Sequence, residues 1–129
     1  MITLNQNQVN LHDPACISEV MDYLGSIIES VNHQISVRFP NISVELKEVT
    51  DLTEPDHEYG FWEYRLLLTP TPNSLENDLE KAFDFLKLYF TSAYLEDGDP
   101  TYPVYASGEK ILARSGEFME VQILTPYSL

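Results

Sequence analysis

A chain of 129 residues with 21 acids against 7 bases, a formal charge of −14, has the size of one domain and an extreme acidic balance. Its apolar fraction of 43% and charged fraction of 22% argue against wholesale disorder, and folding at this length buries about two-thirds of the unfolded surface, enough for one core without disulfides or metals. The charge argues against direct nucleic-acid binding and against anionic membrane surfaces, since both require Lys and Arg, and favours encounter with a basic protein.

The only cysteine is Cys16, so neither an intramolecular disulfide nor a CxxC motif can form. The opening "MITLNQNQVNLHDPAC" lacks the basic start and apolar run of a signal peptide. No apolar run approaches the roughly 20 residues that span a bilayer. A cytoplasmic protein is the expectation.

In chain order, Ile2-Thr3-Leu4 begins a short strand expected to end near Val9 or Leu11. Asp13-Pro14 reads as a helix start, a carboxylate cap followed by proline at the first helical position. Ile17, Val20, Met21, Leu24, Ile27, Ile28, Val31 and Ile35 then keep a helical rhythm, opposite Glu19, Asp22, Ser26, Glu29 and His33. Pro40 ends this helix by Phe39.

Asn41 to Val49 alternates Ile42, Val44 and Leu46 against Ser43, Glu45 and Lys47, the signature of a half-buried strand. A loop rich in acids follows, and Tyr59 to Thr69 predicts a second strand. One of its faces carries Trp62, Tyr64, Leu66 and Leu68, the other Phe61, Glu63, Arg65 and Leu67. Asn73 to Glu76 has the form of a capping box for a second helix running to about Leu95. Its stripe is Leu75, Leu79, Ala82, Phe83, Leu86, Tyr89, Phe90 and Ala93. Phe85 and Leu88 widen that stripe and are expected to pack under a long loop, the alternative being a dimer or partner contact.

"EDGDPTYPVYASG" reads as turns, and Lys110–Arg114 and Phe118–Leu124 as strands joined at Ser115-Gly116. The fold class is therefore α+β: two amphipathic helices on one face of a mostly antiparallel sheet. A ferredoxin-like βαββαβ order with an extra strand is the leading topology.

Standard chemistries find little footing. The five glycines form no phosphate-binding loop, and no GxSxG elbow occurs. His12, His33 and His57 are scattered. "EPDHE" (Glu54 to Glu58) offers several metal ligands in a row, but consecutive ligands seldom converge on one ion. Neither a cofactor nor a catalytic residue is expected.

The surface charge remains. Seven acids lie from Glu45 to Glu63 with Lys47 as the only Lys or Arg, and four more lie from Glu96 to Glu109 without a base. Acids interleaved with aromatic residues have the make-up of tight protein interfaces. The candidate partner-binding residues are Asp51, Glu54, Asp56, Glu58, Tyr59, Trp62, Glu96, Asp97, Asp99, Tyr102 and Tyr105. The plainer reading makes Trp62 a core residue and the acids a solvated surface. The expected function is that of an acidic, non-enzymatic module neutralising a basic partner, most sharply an immunity protein against a nuclease-type toxin. The alternatives are an acidic secretion chaperone and a small enzyme using His57.

Overall fold

The computed structural model describes residues 2–11, 14–52, 61–74, 77–95, 105–114 and 116–126. Among these residues five strands form one sheet in the order β1-β2-β3-β5-β4, with two α-helices beside it. The elements are β1 (Val9–Asn10), α1 (Ile17–Arg38), β2 (Ile42–Asp51), β3 (Phe61–Pro70), α2 (Asp78–Leu95), β4 (Tyr105–Ala113) and β5 (Gly116–Pro126). All strand pairs are antiparallel except β1 with β2, which α1 connects as a parallel crossover. The class is α+β, as composition and periodicity imply. The ferredoxin-like order is not what the register spells out: β1 and β2 are direct neighbours, with no strand inserted between them.

The opening strand is shorter than expected. Gln6–Gln8 forms a 3-10 turn and only Val9–Asn10 pairs. The extended start is held instead by Asn32 of α1. Its Oδ1 accepts from the Ile2 amide at 2.6 Å, and its Nδ2 donates to the Ile2 carbonyl at 2.7 Å. Pro14–Cys16 is a 3-10 turn, so α1 begins at Ile17 with Cys16 at its cap position, and the expected cap Asp13 lies outside the described residues.

Amphipathicity dictates the layering. Val20, Leu24, Ile28, Val31 and Ile35 are buried, with Ile17, Met21 and Ile27 partly buried beside them, while Glu19, Asp22, Ser26, Glu29 and His33 are exposed. On the sheet, Ile42, Val44, Leu46, Trp62, Tyr64, Leu66, Leu68, Met119, Val121 and Ile123 supply the facing layer. From α2 come Leu79, Ala82, Leu86 and Phe90, the last with its ring 5.1 Å from that of Tyr64.

α2 starts at Asp78, beyond the expected cap at Asn73, and Glu76 of the predicted capping box lies outside the described residues. Asn77 precedes the helix at φ 70°, a left-handed conformation asparagine tolerates, and its carbonyl accepts from the Lys81 amide. Phe85 packs against α1's end rather than under a loop: its ring lies 5.8 Å from Phe39, with the Arg38 guanidinium 4.8 Å from its centre. Among the described side chains of the widened stripe, Leu88 alone stays out in solvent, 64% exposed.

The C-terminal hairpin is longer than its apolar runs suggest. β4 begins at Tyr105, within the segment read as turn, because Tyr105 to Gly108 pair with Val121 to Leu124 of β5. Ala113 pairs with Gly116, whose φ of 122° only glycine adopts readily. Gly108 is small for a packing reason. A Cβ there would lie 2.9 Å from the Met119 sulfur and 3.1 Å from the Phe83 ring. Gly108→Val should therefore destabilise the domain by about 1–3 kcal/mol through overpacking, read as a lower urea midpoint at unchanged slope.

Candidate functional site

The face of the sheet away from the helices is polar, and a bulge shapes it. Between Leu46 and Glu48 the register shifts by one residue, so Glu48 pairs with Arg65, on the face that Glu45 also occupies, and Val49 turns into the core. From there a polar ladder crosses four strands. Asn10 Nδ2 donates to Thr50 Oγ1 at 3.2 Å and to Glu48 Oε2 at 3.3 Å, and Glu48 Oε1 lies 3.4 Å from Arg65 Nε. Arg65 Nε donates to Glu63 Oε1 at 2.7 Å, and Gln122 Nε2 donates to Glu63 Oε2 at 2.8 Å.

Glu63 is only 8% exposed yet has both carboxylate oxygens engaged, the condition under which a buried charge is tolerated. The Arg65 guanidinium holds its proton more firmly than usual, first through the hydrogen bond from its Nε to Glu63 and then through that carboxylate's charge, with Glu48 and Glu120 adding to it. A shallow groove of about 620 Å³ lies over this face, lined by Lys47, Glu48, Arg65, Ser107, Glu109 and Glu120 among others. Both of its cations are already paired: Arg65 lies among the carboxylates of Glu48, Glu63 and Glu120, and Lys47 Nζ lies 3.3 Å from Glu45 Oε1. It is an acidic surface with ordered charges.

The second feature is the end of the sheet at which β2 stops and β3 starts. The register aligns Asp51 with Trp62, Trp62 with Thr125, Phe61 with Pro126, and Tyr105 with Leu124. β1 reaches the same end, Asn10 beside Thr50. α2 starts at the other end, where Asp78 and Glu80 lie near Pro70, Lys110 and Glu117, and runs past Tyr64 toward this one. The residues flanking segments 12–13, 53–60 and 96–104 are thus gathered at one end of the sheet.

Those segments contribute Asp13, Glu54, Asp56, Glu58, Glu96, Asp97 and Asp99, and neither Lys nor Arg. The bases lie elsewhere. Lys47 and Arg65 are on the open sheet face, Lys81 and Lys87 on α2, Arg38 at the far end of α1, and Lys110 and Arg114 toward the β4–β5 hairpin. Lys110 is held by Glu80 and also lies 3.6 Å from Glu117.

The individual candidates divide accordingly. Asp51 is half-buried at the end of β2, and Tyr105, at the start of β4, is 60% exposed. Trp62 is 0% exposed, a core residue with no surface to offer as an anchor. Glu54, Asp56, Glu58, Tyr59, Glu96, Asp97, Asp99 and Tyr102 lie outside the described residues, as do His12 and His57 and the "EPDHE" run. Among the described residues no group of three or more His, Cys, Asp or Glu side chains is placed to hold a metal, and no helix is long and apolar enough to cross a membrane. Cys16 is exposed.

The ladder through Glu63, Arg65 and Gln122 is the feature that sequence reasoning missed. Alternation along β3 puts Glu63 and Arg65 on one face, but only the pairing with β5 brings Gln122 beside them. No protein-family model matches the chain, and neither a curated protein nor a solved structure shows significant similarity to it.

Proposed function

We propose that this protein is a non-enzymatic, acidic binding module that neutralises a basic protein partner, most sharply as a cytoplasmic immunity protein against a nuclease-type toxin. The observation that carries this reading is the gathering, at one end of the sheet, of the anchor points of three segments that hold seven acids and neither Lys nor Arg. A nuclease must present a basic cleft to a polyanion, and a concentrated acidic surface competes for that cleft while steering the encounter. Asp51, Glu54, Asp56, Glu58, Glu96, Asp97 and Asp99 supply charge in this scheme, and Tyr59, Tyr102 and Tyr105 supply apolar contact. The single cysteine agrees with a reducing compartment.

The test is a tagged capture from native lysate, washed at low and then high salt, followed by a nuclease assay of what is recovered. One basic protein in equal amount is expected, released by salt, degrading nucleic acid alone and inactive when the two are recombined. A captured basic protein without nuclease activity would remove the toxin assignment. An exported client held through an unfolded segment and indifferent to salt would replace it with the chaperone reading, for which Leu88 is the exposed apolar contact.

A further inference from the structure

The two edges of the sheet are finished differently. On the β1 side the chain covers its own edge: the 3-10 turn at Gln6–Gln8 lies against β2, and Gln8 Nε2 donates to the Leu46 carbonyl at 2.7 Å. β1 itself adds two paired residues. On the other side β4, nine residues long, pairs only with β5 among the described residues. An edge of that length offers a row of amide and carbonyl groups that template another strand. An inward charge is a common protection, and Lys110 sits mid-strand, but its ammonium is engaged by Glu80 and Glu117 of its own chain. The strand's apolar residues are meanwhile uncovered: Tyr105 is 60% and Leu112 84% exposed, and Ile111 is half-buried.

We infer that β4 is a dimerisation edge, where two copies of this chain pair antiparallel about a dyad at Gly108 and fuse their five-stranded sheets into one. A dyad perpendicular to the sheet keeps both copies' helices on the same side, so directly opposed residues share a face. Registers centred on Glu109 or Lys110 set a charge against its own copy, which disfavours them. Centred on Gly108, the ladder opposes Ser107 to Glu109, Ala106 to Lys110, and Tyr105 to Ile111, each twice. The Tyr–Ile pairs join an aromatic to a β-branched side chain on the open face, the favourable cross-strand combination. At the dyad the missing side chain leaves the helix-side space to Phe83 of each copy.

The charge distribution selects a second copy as the occupant, despite a net −14 on each chain. Antiparallel pairing sets the Tyr105 end of one sheet beside the hairpin end of the other, next to its Arg114 and Lys110. The acid-only ends then stand at opposite extremities of the pair, and a Debye length of about 8 Å at physiological salt screens the remaining repulsion. A foreign basic strand would meet Glu109, with Glu120 paired beside it on β5, at the middle of this edge and leave Tyr105 and Ile111 to chance. The inference is independent of what binds the acidic end.

Sedimentation velocity of the full chain, from low micromolar to the highest soluble concentration, should give a species of twice the 14.8 kDa chain mass. Ile111→Lys, which keeps the β4–β5 pairing, should raise the dimer dissociation constant by about tenfold with an unchanged circular dichroism spectrum. A second measurement does not depend on that variant folding. Ser107→Cys with Glu109→Cys, in a Cys16→Ser background, should form a covalent dimer on mild oxidation. Within one strand those two Cβ atoms stand about 6.6 Å apart, beyond the roughly 4.5 Å a disulfide bridges, so the bond must join two chains. A chain that stays monomeric at every concentration overturns the inference. So does a dimer that neither cross-links nor weakens in Ile111→Lys, which would place the contact on another surface.

Discussion

Trp62→Ala is expected to lower the unfolding free energy by about 3–5 kcal/mol, a large share of what a domain of this size possesses. Trp62 is fully buried, in register with Asp51 on β2 and Thr125 on β5, in the layer that the helices cover. An aromatic ring so placed removes about 150–250 Å² from water, and truncation adds the penalty of the void left behind. Urea unfolding followed by far-ultraviolet circular dichroism is the measurement, because the substitution removes the only tryptophan and with it the fluorescence signal. Trp62→Phe should cost distinctly less, since a ring is kept. A midpoint for Trp62→Ala near that of the parent chain would mean that the ring is surface-borne, and would restore it as a docking anchor.

That residue also shows where pattern and structure part company. Alternation through "FWEYRLLL" sorts the inward and outward faces of β3 correctly, because a strand's period of two leaves no other assignment once one face is apolar. The heptad-like stripe of α1 is as plain, and eight of its apolar positions are buried or partly buried. Breaks in period are harder to read. The three-residue step from Leu46 to Val49 was the one visible trace of the bulge that turns Lys47 and Glu48 to the same side of β2, and simple alternation passes over it. β4 was hidden for another reason: Ala106, Ser107 and Gly108 have weak strand preference and are held by pairing with β5 and by the close approach of Phe83.

The site was legible as composition and not as place. Runs of acids are visible in the chain, but whether the segments after β2 and α2 emerge at one end or at opposite ends depends on strand order and register. Local residue pattern does not specify those. The burial of Glu63 is the same kind of property. Its two partners come one from its own strand and one from β5, 59 residues further on, and no spacing in the chain announces the second.

The acidic end leads to the second large effect. Changing Asp51, Glu54, Asp56 and Glu58 to Asn or Gln should slow association with the basic partner by at least about tenfold at low salt, within the range that steering contributes. The unfolding free energy should stay within about 0.5 kcal/mol of the parent, the range of surface substitutions. The informative control removes the same number of charges elsewhere, at Glu29, Glu45, Asp84 and Glu120, all exposed and all away from that end. If the position of the charge decides the rate, the first variant slows association and the control barely does. If only the net charge matters, the two slow it equally, and the acidity is a matter of solubility and general attraction. Stopped-flow association at rising ionic strength separates them further. The gap between the parent chain and the first variant should close as the Debye length shrinks from about 10 Å at 0.1 M salt toward 3 Å at 1 M. A gap that persists at high salt would belong to contacts made after encounter, and would shift the docking role from the acids to Tyr59, Tyr102 and Tyr105.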